Sequence, residues 1–79
     1  MALVNIHQKD ENGNSAIHFA ANVGNLDAIQ LLVNNGVNIN EEDNDFTTPL
    51  HFAAKAGAYE TVKYILNIGG LVSQRTRTN

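Results

Sequence analysis

Three histidines, His7, His18 and His51, and a run of acids, Glu41, Glu42, Asp43 and Asp45, are the side chains of this 79-residue chain best suited to hold a metal ion or move a proton. A zinc site needs about four nitrogen, sulfur or carboxylate ligands converging on one point. His18 and His51 instead stand 33 residues apart in nearly the same words, AIHFAA and PLHFAA, which gives one imidazole per copy of a pattern with no clustered partner. Both are expected to be structural, and His7 has no evident role. The acidic run lacks the alternating ligands and the glycine of a calcium loop. It reads either as a weak cation holder or as a solvated acidic loop that attracts a basic protein surface. Ser15, Thr47 and Thr48 are hydroxyls without a glycine-flanked nucleophile turn, and no glycine-rich loop cradles a phosphate. No catalytic residue, metal or cofactor is expected, and the chain is not expected to be an enzyme.

The elements that must position these side chains come in duplicate. Aligned 33 residues apart, Asp10/Asp43, His18/His51, Phe19/Phe52, Ala20/Ala53, Ala21/Ala54, Gly24/Gly57, Asn34/Asn67 and Gly36/Gly69 are identical. Ile17/Leu50, Asp27/Glu60, Ile29/Val62 and Leu32/Ile65 keep size and polarity. The linking segment Val4-Asn5-Ile6 returns as Val37-Asn38-Ile39, and Gly69 to Ser73 holds the same place one period later. The organisation read from this is one domain over 1–79, with a flank 1–9, repeat one 10–42, repeat two 43–75 and a truncated flank 76–79.

Each unit predicts two short helices. Thr48 before Pro49 is a helix start, the hydroxyl accepting an orphan backbone N–H and the proline giving up an N–H that has no partner. Ser15 is an equally good cap for the first unit, but Ala16 stands where the proline would be, so that start is less rigidly specified. The second helices are expected over Leu26 to Asn34 and Tyr59 to Asn67. Their buried faces are Leu26, Ile29, Leu32, Val33 and Tyr59, Val62, Ile65, Leu66, with Gly36 and Gly69 supplying the left-handed stop. Helices of two turns do not persist alone in water, so the units have to stack on one another.

Bulk composition narrows the function. Five basic and eight acidic residues leave a formal charge of −3, the wrong sign for a phosphate backbone. The contact Lys55, Lys63, Arg75 and Arg77 could make with nucleic acid is therefore a minor reading. No apolar stretch reaches the length of a membrane span. The absence of cysteine excludes disulfides and fits an intracellular setting.

The period of 33, Thr48-Pro49-Leu50-His51 followed by Ala53-Ala54, and the closing Gly36 to Asn40 segment resemble the ankyrin repeat over essentially the whole chain. The resemblance implies an all-α solenoid of stacked helix-turn-helix units joined by β-hairpin fingers. It implies that His18 and His51 tie the helix starts to the adjoining finger. Partners of such proteins are met by finger tips and inner helices. Here these are Glu11, Asn12, Asn14, Asn22 and Val23 in the first unit, and Asn44, Asp45, Phe46, Thr47, Lys55 and Ala56 in the second. Phe46 replaces the glycine of the finger turn, Gly13 in the first unit, and is either an exposed anchor or local core. Asn40 is the finger position that an asparaginyl hydroxylase could modify in this family. The function expected is that of an intracellular protein-interaction module or scaffold. The alternative is a structural segment or homo-oligomer associating through uncapped ends, with Ala28, Leu31 and Tyr64 on those faces.

Overall fold

A computed structural model describes residues 5–72 of the protein. Val4, Ser73, Arg75, Arg77 and the flank 76–79 lie outside the described residues. Four helices follow in order: α1 (Ala16–Asn22), α2 (Leu26–Asn34), α3 (Pro49–Lys55) and α4 (Tyr59–Asn67). The second helices begin and end where the repeat predicts. Among the described residues the connecting segments make hairpin turns without a strand ladder.

Each helix ends in the same way. Gly24, Gly36, Gly57 and Gly69 lie at φ 70, 92, 71 and 94°, a backbone region that costs glycine nothing. The N–H after each glycine returns to the carbonyl five residues back, as Val37 to Leu32 at 3.1 Å and Gly70 to Ile65 at 2.8 Å do. The starts are less uniform. Asn25 caps α2 by accepting the Ala28 N–H at 3.1 Å, whereas Ala58 offers α4 no side-chain cap. Thr48 departs from expectation, because its hydroxyl does not cap α3. It donates instead to the Leu71 carbonyl at 2.7 Å, fastening the chain after α4 to the start of α3.

α1 packs against both α2 and α3, α3 packs against α4, and the outer pair α2 and α4 meets more sparingly. The inner helices α1 and α3 form the most closely packed pair. Ala21 and Ala53, both fully buried, are what let those helices approach. Around them Ile17, Ala20, Ile29, Leu32, Val37, Ile39, Leu50 and Ile65 form one core that crosses the unit boundary. This is the stacking that two-turn helices require.

The predicted α2 face is buried or half-buried throughout. That of α4 is not, for Tyr59 and Leu66 point outward at 73% and 55% exposure. They are the equivalents of Leu26 and Val33, which repeat two covers; no further unit covers them among the described residues. No described helix is long and apolar enough to cross a membrane.

Candidate protein-binding surface

Asp10 and Asp43 build the two finger tips by one mechanism. A single carboxylate oxygen of Asp10 accepts the N–H groups of Asn12 and Asn14, both at 2.9 Å. That of Asp43 accepts those of Asp45 and Thr47, also at 2.9 Å. The backbone closes around each: Asp10 N–H to the Asn14 carbonyl at 2.9 Å and Asp43 N–H to the Thr47 carbonyl at 3.0 Å. Aspartate suits this place because its short side chain can mimic a backbone carbonyl two residues on.

The acidic run is therefore not a solvated cluster. Asp43 is buried in the turn it organises, and Glu41 is mostly covered and paired with Lys9 at 3.4 Å. Glu42 is half-buried, which leaves Asp45 as the exposed acid of the run. Reversing all four charges would dismantle the finger along with its field.

At the tip, Gly13 sits at φ 78° and its counterpart Phe46 at φ 63°. A side chain in this region brings Cβ against the following carbonyl, at about 1–2 kcal/mol. The turn imposes the conformation, since the N–H of residue 46 must reach the Asp43 carbonyl at 3.0 Å as that of Gly13 reaches Asp10. Phe46 is half-buried, between the two readings its sequence position allows.

The fingers also hold one another. The Asn44 N–H donates to the Asn12 carbonyl at 2.9 Å, and its side-chain amide to the Glu11 carbonyl at 3.0 Å. A Cβ on Gly13 would strike Asn44. Asn44, though exposed, is thus tied to its neighbour rather than offered whole to a partner. Asn40 does the same one level on, donating to the Gly69 carbonyl at 3.1 Å and accepting the Leu71 N–H at 2.7 Å. Hydroxylation of Asn40, implied by resemblance alone, would have to reach a half-buried side chain that bridges two segments.

Of the other predicted contact residues, Glu11, Asn12, Asn22, Lys55 and Ala56 are exposed, and Val23 is 74% exposed at the C-terminal end of α1. Asn14 and Thr47 are half-buried, with their N–H groups on the finger aspartates. These residues lie on the fingers and at the C-terminal ends of the inner helices, and Phe46, Val23 and Ala56 are the apolar ones among them. The visible sign of these aspartate turns in the sequence is the identity Asp10/Asp43, three residues before each tip.

His18 and His51, equivalent in sequence, differ in setting. His18 is 1% exposed. Its Nδ1 accepts the Ser15 N–H at 3.0 Å, so the ring proton lies on Nε2, which donates to the Glu41 carbonyl at 2.8 Å. One imidazole therefore replaces the usual glutamate of a capping box and welds helix start to finger. His51 is exposed and lies edge-on to Phe52, with ring centroids 6.3 Å apart. No group of three or more potential metal ligands gathers among the described residues.

A family model described as ankyrin repeats, three copies, matches residues 2–75. No curated protein matches the chain significantly. Among solved structures it is similar to a chain in the complex of the Bd0816 predatory endopeptidase from Bdellovibrio bacteriovorus with immunity protein Bd3460. The TM-score is 0.78 and the identity 29%, over 86% of this chain and 35% of that one. The protein thus spans about a third of the length of that relative. Period, helix pairs, histidine tie and finger turns agree with the family match: the chain belongs to the ankyrin repeat family.

Proposed function

We propose that the protein is a binding module that holds a protein partner against its finger tips and the inner helices α1 and α3. The observation that carries this reading is Phe46, a bulky aromatic kept in a left-handed turn where the first unit has glycine. Strain of this kind persists where surrounding structure over-determines it, and it gathers at functional positions. An aromatic on a finger turn next to exposed Asp45 and Asn44 has the make-up of an anchor with a polar rim. The similar structure is itself a complex of two proteins, which supports a protein as the partner class.

The side chains that could do chemistry are spent on the fold, which supports a non-catalytic role. Both His18 nitrogens are engaged, Ser15 is buried, and the buried Thr48 hydroxyl is donated to Leu71. Acidic Glu11 and Asp45 at the tips disfavour nucleic acid.

The test is affinity capture with wild type, Phe46→Gly and Val23→Lys, with Lys63→Glu on the outer helix as control. Phe46→Gly relieves the turn and keeps or raises Tm, yet weakens the captured partner about 30-fold, the loss of one hot spot of roughly 2 kcal/mol. Unchanged affinity in both surface variants, or loss only with Lys63→Glu, would sink the proposal.

A further inference from the structure

The duplicated sequence carries an internal control: any difference in exposure between equivalent residues marks what a neighbouring unit covers. From unit one to unit two, exposure rises at Ala21/Ala54, Leu26/Tyr59 and Val33/Leu66, so these face the following unit. It falls at Ala16/Pro49, Phe19/Phe52 and Leu31/Tyr64, so these face the preceding one. The end faces are thereby mapped. The leading face holds Ala16, Phe19 and Leu31, the last two 53% and 63% exposed; the trailing face holds Ala54, Tyr59 and Leu66. Tyr64, expected on an end, turns inward toward repeat one. Phe19 and Tyr59, the latter placed on a buried face by its spacing, take the ends.

The two faces differ from the internal joint in opposite senses. On the trailing face Tyr59 stands for Leu26 and Leu66 for Val33, both larger. On the leading face Ala16 stands for Pro49 and Leu31 for Tyr64, both smaller, while Phe19 and Ala54 match their equivalents. Bulk added on one side is removed on the other, and hydrophobic packing tolerates such volume-conserving exchange. Exposed Gly57, with open space where a Cβ would sit, stands in for Gly24, which the Ala58 methyl approaches closely. The leading face also shelters an unpartnered acceptor, Asn14 Oδ1, in the wall of a shallow depression beside Lys9, Ala16 and Phe19.

We propose that the trailing face of one copy docks on the leading face of a second copy, continuing the internal joint from chain to chain. The contact is head-to-tail and does not close, so it builds an open series. Residues 5–9 and 68–72 both correspond to the segment after α2, and a joint has room for one of them. The later segment is pinned across units by Asn40 and within its own unit by Thr48. The earlier one is held across units by the Lys9–Glu41 pair. It is the arriving copy's residues 5–9 that give way, with Val72 taking the place of Ile6.

Leu31→Glu and Tyr59→Glu each spoil one face at an exposed helix position and leave the core untouched. Sedimentation of the full chain over a concentration series is expected to show wild-type mass at least doubling. Each variant alone stays at the mass of one chain with an unchanged circular dichroism spectrum. Their equimolar mixture regains a twofold mass and no more, because each supplies the face the other lacks. A wild type that stays at one-chain mass to the highest concentration overturns the proposal. So does a mixture of the two variants that stays at the mass of one chain.

Discussion

Replacing His18 by alanine is expected to lower stability by about 3 kcal/mol or more. The loss strands the Ser15 N–H and the Glu41 carbonyl, both held by one buried ring, at about 1–3 kcal/mol for each unsatisfied group. It also leaves a cavity beside Phe52, whose ring meets that of His18 edge-on at 5.7 Å. A chain of this length holds only about 4–12 kcal/mol in all. With roughly 4–8 °C of Tm per kcal/mol in a small domain, the variant should melt about 12 °C or more below wild type. His51→Ala, the same change at the same repeat position, removes an exposed ring and should cost about 1 kcal/mol or less. Thermal melts of the two variants side by side check this. Equal losses would mean that the welded helix start contributes nothing beyond the sequence motif.

Gly70 supplies the second large effect. Its equivalent is Val37, a buried core residue, yet a Cβ on Gly70 would overlap the Ile65 Cγ2 methyl and crowd the Ile65 carbonyl at 2.8 Å. The cause is five residues back in each unit. Unit one has Leu32, branched at Cγ, where unit two has Ile65, branched at Cβ, and the extra methyl fills the space that Val37 occupies. Gly70→Val should therefore destabilise by about 3 kcal/mol, the upper part of the range for overpacking. Adding Ile65→Leu should recover most of that loss, because the pair then matches Leu32 and Val37. Denaturant unfolding of both singles and the double isolates the coupling, expected at about 1–3 kcal/mol for residues in contact. Additive losses would show that the two sites do not share that space.

The parts of the fold that repeat were the parts most legible in the sequence. Helix limits, glycine stops and the need to stack all follow from comparing residue 10 onward with residue 43 onward. The reach of His18 into the adjoining finger was legible only through family resemblance. What stayed hidden depends on direction rather than residue type. Thr48 is an apt N-cap by composition, but its hydroxyl proton is claimed by the Leu71 carbonyl, which no local pattern announces. Asp43 sits in a run of acids and reads as solvated, although its carboxylate faces the turn. Tyr59 and Leu66 have the spacing of a buried face, yet no further unit covers them among the described residues.

The candidate binding surface was legible in a weaker sense. Varied positions such as Val23, Lys55 and Ala56 are exposed where resemblance places them, while Asn44 and Asp43 are drawn into contacts between and within fingers. Phe46 was conspicuous as a departure from the glycine of unit one. Its left-handed backbone explains why the departure matters, since a phenylalanine there is kept at a cost to the fold.

The most direct test places a photo-crosslinking phenylalanine, p-benzoylphenylalanine, at position 46 and, in a second protein, at Lys63 on the outer face of α4. Irradiation in the native cell extract is predicted to join a protein partner covalently at position 46 and not at 63. Adducts at 63 with none at 46 would contradict the assignment of the binding surface.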